Sequence, residues 1–117
     1  GVRAEEIKKA LAADVQEELM HAQRLGARIK TLGGVVPGSL ALNYNQMDLQ
    51  PPTDQTDVVT IIKGVIKAED AACGQYNSII KMCEGVDYVT QELCIELLGM
   101  EEEHRRQFRG YLKEYEK

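Results

Sequence analysis

Apolar side chains recur every three or four residues in the first part of the chain, which is the spacing of one face of an α-helix. They are Ile7, Leu11, Val15, Leu19, Ala22, Leu25 and Ile29. This pattern predicts a helix over 4–32. We expect it to end at Gly33 and Gly34, because glycine accepts the left-handed conformation common after a helix.

The same period returns twice more along the chain. It predicts helices over 57–83 and 88–115. Thr56 or Asp57 can cap the first of these and Asp87 the second, because their side-chain oxygens accept otherwise unpaired amides. The four-residue turn between them predicts that these two helices lie antiparallel.

Residues 33–56 have no helical period and carry all three prolines, Pro37, Pro51 and Pro52. Segments this long without regular secondary structure are uncommon in a compact domain, so this one requires an explanation. One reason is a crossover that runs the length of a helical bundle. We therefore predict one all-α domain over 1–117. Because the printed sequence starts at Gly1, almost directly in a helix, we also expect an N-terminal segment to be missing.

The composition excludes several classes of protein. A net charge of −5 disfavours a nucleic-acid binder and suits a protein that attracts cations. The three cysteines are too few for a disulfide-rich scaffold, and they form no Cys-x-x-Cys pair for a zinc ribbon or rubredoxin-type site. There is no apolar run of 18 residues, so no membrane span is expected.

The two histidines of the chain each follow a glutamate by three residues, in Glu18-Leu19-Met20-His21 and Glu101-Glu102-Glu103-His104. Residues three apart share one face of a helix, so a carboxylate and an imidazole can converge on one metal ion. Two such motifs on different helices are typical of di-iron carboxylate bundles. The alternative is that His21 and His104 are surface residues on glutamate-rich faces.

The helix predicted over 57–83 carries a further candidate ligand, Glu69. It lies on or beside an apolar face, where a charge is costly unless it is paired or bound to metal. Asp70 is the neighbouring alternative, about 100° further around the helix. A structural salt bridge at Glu69 is the other alternative.

Three segments resemble the second, third and fourth helices of bacterioferritins, members of the ferritin-like superfamily. They are Glu18-Leu-Met-His21-Ala-Gln-Arg-Leu, Lys67-Ala-Glu69-Asp70 and Ile95-Glu-Leu-Leu-Gly-Met-Glu101-Glu-Glu-His104. The resemblance implies a ferritin-like four-helix bundle of which three helices are present here. It also implies a di-iron site in which Glu18 and Glu101 bridge the irons, His21 binds one iron, and Glu69 and His104 bind the other.

The chain departs from that family pattern at two points. The family's first helix, with its own glutamate ligand, has no counterpart in the printed sequence. Leu19 stands where bacterioferritins have the methionine that binds haem, and Met20 faces another way, so haem is not expected.

Cys73 follows Glu69 by four residues and Cys94 precedes Glu101 by seven, so both return to the ligand faces of their helices. This is similar to the Dps-like (thioferritin) proteins, which have a cysteine pair beside the di-iron site. We hypothesise that Cys73 and Cys94 are close enough to form a redox-active disulfide. The alternative is two small buried apolar side chains. Cys83, near a helix end, is interpreted as incidental. Tyr76 follows Glu69 by seven residues, which allows it to reach the site, but core packing is the favoured interpretation.

The resemblance implies a cytoplasmic ferroxidase that oxidises Fe(II) with oxygen or hydrogen peroxide and stores Fe(III) in a shell of identical subunits, protecting against oxidative stress. Two alternatives stay open. One is a rubrerythrin-like di-iron peroxidase, which the missing rubredoxin-type cysteines disfavour. The other is a non-catalytic helical interaction module. No membrane or nucleic-acid partner is expected.

Overall fold

The computed structural model describes residues 3–43 and 50–116. These ranges contain three α-helices, α1 (Ala4–Thr31), α2 (Val58–Cys83) and α3 (Tyr88–Tyr115), a 3-10 turn at Ser39–Ala41, and no strand. The predicted all-α class is therefore confirmed. Each helix begins and ends within one residue of its predicted bounds.

The predicted crossover over 33–56 is only partly described, because residues 44–49 lie outside the described ranges. Its described residues are irregular apart from the 3-10 turn, which the sequence did not predict. Gly33, with φ of +84°, follows α1 in the left-handed conformation expected of it. None of the described helices combines the length and apolar character needed to cross a bilayer.

Aspartate caps begin α2 and α3. The Asp57 carboxylate accepts a hydrogen bond from the Thr60 amide at 3.0 Å, and the Asp87 carboxylate accepts one from the Thr90 amide at 3.0 Å. Each threonine hydroxyl also donates to its aspartate. Of the two caps predicted for α2, Asp57 is thus the one used. These caps satisfy amides that a helix start leaves without an internal partner.

A four-residue turn joins α2 to α3, so the two helices pack against each other as an antiparallel hairpin. Gly85 takes a φ of +72°, which L-residues with a side chain rarely adopt. Across the turn, the side-chain amide of Gln91 donates to the Ile80 carbonyl at 3.0 Å and to the Glu84 carboxylate at 2.6 Å. The turn therefore sets which residues of α2 and α3 lie opposite each other.

The hairpin has a core made by residues that recur at helical spacing. Its buried apolar members are Ile62, Cys73 and Tyr76 on α2 and Cys94, Leu97, Phe108 and Tyr111 on α3. The rings of Phe108 and Tyr111 meet edge to face, with centroids 5.4 Å apart. Tyr76 is a core residue, as predicted.

The chain divides into two compact units between residues 46 and 47, with α1 in the first unit and the hairpin in the second. On α1, Ile7 and His21 are buried, whereas Val15 and Leu19 are 56% and 55% exposed. The apolar period thus predicted the helix, but most of the predicted apolar face is exposed or half-buried. That all 117 residues form one domain stays a prediction.

Candidate metal centre

The Glu101-x-x-His104 motif lies on the inner face of α3. Glu101 is 1% exposed and His104 6%. One turn of helix separates them, and the Nδ1 atom of His104 lies 3.6 Å from a Glu101 carboxylate oxygen. The predicted convergence of carboxylate and imidazole within this motif is therefore present.

Glu69 reaches the same point from α2. Its carboxylate oxygen lies 3.9 Å from Nδ1 of His104, and the residue is 9% exposed. Each of Glu69, Glu101 and His104 offers one ligand atom, and these three atoms lie within 4.8 Å of one another. Ligand atoms on one transition-metal ion lie roughly 3–4 Å apart when each is about 2.1 Å from it. Small side-chain rotations would therefore complete a binding geometry.

The chemistry of this donor set suits iron. Carboxylate oxygens are hard ligands, and imidazole also binds iron well. Two buried carboxylates this close together repel each other and have lost most of their water, which is costly unless a cation or proton compensates. The three residues therefore fit a divalent or trivalent metal ion better than they fit a purely structural cluster.

Asp70, the alternative ligand, points elsewhere and pairs with arginine. Its carboxylate accepts hydrogen bonds from Arg105 at 2.9 Å and from Arg109 at 3.4 Å. Arg105 also lies 3.9 Å from Glu102. The hydrogen bond to Asp70 is the main reason that the pKa of Arg105 is raised. Arg105 and Arg109 are not among the residues predicted from the sequence. Their spacing of four residues shows that they share one face of α3, but not that this face meets Asp70.

The other Glu-x-x-His motif lies in the middle of α1. Nδ1 of His21 is 3.7 Å from a Glu18 carboxylate oxygen, almost the same separation as in α3. His21 is 2% exposed, but the Glu18 side chain is 48% exposed. Met20, the residue considered for haem, is 58% exposed. That all five ligands meet on two metal ions stays a prediction.

Cys73 and Cys94 are both buried, and both are free thiols in this structure. Burial raises the pKa of each thiol, and for Cys73 the nearby Arg105 guanidinium partly offsets that effect. For Cys94, charge interactions with Cys83 and Asp87, near the turn, raise the thiol pKa further. The predicted Cys73–Cys94 disulfide stays a prediction.

Two comparisons with known proteins bear on this site. The model of the family described as "Ferritin-like domain" matches residues 1–117. A protein of Pyrococcus furiosus named "DNA protection during starvation protein" is 30% identical over 115 residues. The match covers 96% of this chain and 62% of the relative, so the chain spans less than two thirds of that protein's length.

Proposed function

Because the chain belongs to the ferritin-like family, we propose that it binds iron at a di-iron carboxylate site and oxidises Fe(II) there. The observation that carries the proposal is the convergence of Glu69, Glu101 and His104, whose ligand atoms lie within 4.8 Å of one another. The proposed ligands are Glu18, His21, Glu69, Glu101 and His104.

The chain's own residues would act in three ways. The carboxylates of Glu69 and Glu101 neutralise the charge of the bound ion, and hard oxygen ligands favour Fe(III) over Fe(II) as oxidation proceeds. His104 supplies a nitrogen ligand that its position one turn from Glu101 holds in place. Burial of Glu101 and His104 excludes water from that side of the ion.

The substrate is Fe(II), and the oxidant is dioxygen or hydrogen peroxide. Oxidation of two Fe(II) ions to Fe(III) releases two electrons, which with two protons reduce one hydrogen peroxide to two water molecules or one dioxygen to hydrogen peroxide. We further propose that identical subunits assemble into a shell that holds the Fe(III) product. The native mass of the purified protein tests that assembly directly.

The name of the Pyrococcus furiosus relative mentions protection of DNA. Consumption of Fe(II) and peroxide would protect DNA from oxidative damage without any contact with it. The net charge of −5 favours this route over a route that needs phosphate binding.

Iron oxidation by matched variants tests the proposal. We expect Glu101→Gln to lower the rate of Fe(II) oxidation, followed as the growth of Fe(III) absorbance, by at least about 100-fold, beyond the usual effect of residues that only support metal ligands. Glu103→Gln is the control, since Glu103 lies in the same motif on α3, but its side chain is 61% exposed and pairs with Arg106. We expect its rate to stay within about twofold of the original chain.

The same experiment separates the alternatives. Equal behaviour of the Glu101 and Glu103 variants, with no iron retained by the original chain, would support the non-catalytic interaction module. Rapid peroxide consumption at the expense of an added reductant, without accumulation of Fe(III), would support the rubrerythrin-like peroxidase. A Cys73→Ser, Cys94→Ser double variant with unchanged peroxide turnover would remove the proposed redox role of that pair.

A further inference from the structure

An ion pair joins the two helices of the hairpin directly beside the proposed ligands. Asp70 follows Glu69 on α2, and Arg105 follows His104 on α3. The next residue on a helix is rotated by about 100°. Since α2 and α3 are antiparallel, that rotation turns Asp70 and Arg105 to the same side of the hairpin, where Arg105 donates to Asp70 at 2.9 Å.

From this geometry we propose that Asp70 and Arg105 are positioning residues, which hold α2 and α3 in the register that brings Glu69 to His104. The proposal rests on the proposed function, because it assigns these residues a role in metal binding. Neither residue is proposed as a ligand. They act by limiting how far one helix can slide or rotate against the other.

The surroundings of the pair support a fixed geometry. The Arg105 side chain is 21% exposed, and it lies between Asp70 and the Glu102 carboxylate, which is 3.9 Å away. Arg109 approaches the same Asp70 oxygen at 3.4 Å, one turn further along α3. A connected set of charges with one half-buried arginine is more constraining than an isolated surface pair, which contributes little.

The chain contains a matched control on the same two helices. Lys63 of α2 and Glu116 at the end of α3 form an ion pair at 3.4 Å, with side chains 58% and 52% exposed. This pair also joins α2 to α3, but Lys63 is six residues from Glu69, and Glu116 is twelve from His104. Its removal should leave the metal site unchanged.

The competing explanation is a simple effect of charge on cation binding. If charge alone mattered, Asp70→Asn would weaken metal binding by removing a negative charge, and Arg105→Gln would strengthen it by removing a positive charge. A positioning role for the two residues predicts instead that both substitutions weaken metal binding. It also predicts that the double variant is no weaker than either single one, because both remove the same restraint.

Titration with Co(II), followed by its visible absorption bands, measures these affinities and reports the ligand geometry. We expect the Kd to rise by about threefold to tenfold in Asp70→Asn, in Arg105→Gln and in the double variant alike, with altered bands in all three. Arg105→Lys, which keeps the charge, should recover part of the loss. Lys63→Gln with Glu116→Gln should match the original chain.

Opposite signs for the two single variants, additive losses in the double variant, or an equal effect of the control pair would each overturn the proposal. A second measurement applies to the metal-free protein. We expect Asp70→Asn to speed hydrogen exchange of backbone amides in 66–73 and 101–108, whereas the control pair should not. If the original chain binds no Co(II), the proposed function fails, and unchanged exchange in these segments would then reject the positioning role separately.

Discussion

The two Glu-x-x-His motifs have nearly the same internal geometry and different surroundings. In α1 the imidazole Nδ1 lies 3.7 Å from its carboxylate, and in α3 the distance is 3.6 Å. Both histidines are buried. The carboxylates differ, because the Glu18 side chain is 48% exposed and that of Glu101 is 1% exposed.

This comparison separates what a motif determines from what its neighbours determine. The spacing of three residues brings carboxylate and imidazole together in either helix. In α3 the carboxylate is buried, and Glu69 of α2 reaches the same imidazole. A Glu-x-x-His motif therefore brings one carboxylate and one imidazole together, whereas the second carboxylate beside His104 comes from the packed partner helix.

The largest difference between the two regions should appear in stability. Leu97, one turn before Glu101, is fully buried, whereas Leu19, directly after Glu18, is 55% exposed. We expect Leu97→Ala to lower the free energy of unfolding by about 2–5 kcal/mol and Leu19→Ala to change it by about 0.5 kcal/mol or less. Urea denaturation of both variants measures this. Similar losses would mean that α1 is packed as tightly as α3.

The second-largest difference should appear in metal affinity, between the carboxylates of Glu18 and Glu101. We expect Glu101→Gln to raise the Kd for Co(II) by about 100-fold and Glu18→Gln by about tenfold, because water can replace a ligand more readily at an exposed position. His21→Ala and His104→Ala should have similar effects, since both imidazoles are buried. A larger rise in Kd for Glu18→Gln than for Glu101→Gln would show instead that the exposed carboxylate contributes more to metal binding.

The same glutamate substitution should have the opposite effect on the metal-free protein. Glu69 and Glu101 are buried close together, so removing one charge relieves repulsion and desolvation. We expect Glu101→Gln to raise the free energy of unfolding by roughly 1–2 kcal/mol in the presence of EDTA. Glu18→Gln should leave it nearly unchanged. Thermal unfolding of both variants without metal checks this, and a destabilised Glu101→Gln would contradict it.

The smallest expected difference concerns how the helices begin. The Asp87 side chain caps α3, whereas Arg3 before α1 makes no side-chain capping hydrogen bond. We expect Asp87→Ala to lower the free energy of unfolding by about 1 kcal/mol and Arg3→Ala by about 0.5 kcal/mol or less. Denaturation midpoints report both values. If both substitutions lowered the free energy of unfolding equally, the aspartate cap would not be what distinguishes the start of α3 from that of α1.

Much of the fold was predictable because its signals are local. Apolar spacing, aspartate caps and terminal glycines gave the helix bounds to within one residue, and the four-residue turn gave the antiparallel hairpin. Its position beside an apolar face favours Glu69 over Asp70 as a ligand, and in the structure the Glu69 carboxylate lies beside His104. Each of these sequence signals depends on neighbours within a few residues along the chain, whereas the contact between Glu69 and His104 depends on the packing of α2 against α3.

Features that depend on distant residues were harder to predict. The pairing of Asp70 with Arg105 and Arg109 requires the register between two helices, which no single helix pattern contains. The exposure of Val15 and Leu19 depends on what covers α1, and periodicity alone does not show this. The 3-10 turn at Ser39–Ala41 has too few residues to produce a detectable period.

The short turn between α2 and α3 also bears on the order in which the protein folds. Contacts between helices joined by four residues close only a small loop, and such local contacts form within microseconds to milliseconds. The hairpin is therefore expected to form early, before any contact that requires closure of the long segment over 33–56. Glu69, Glu101 and His104 would then converge in the first folded part of the chain, and a metal ion present during synthesis would meet a partly formed binding site.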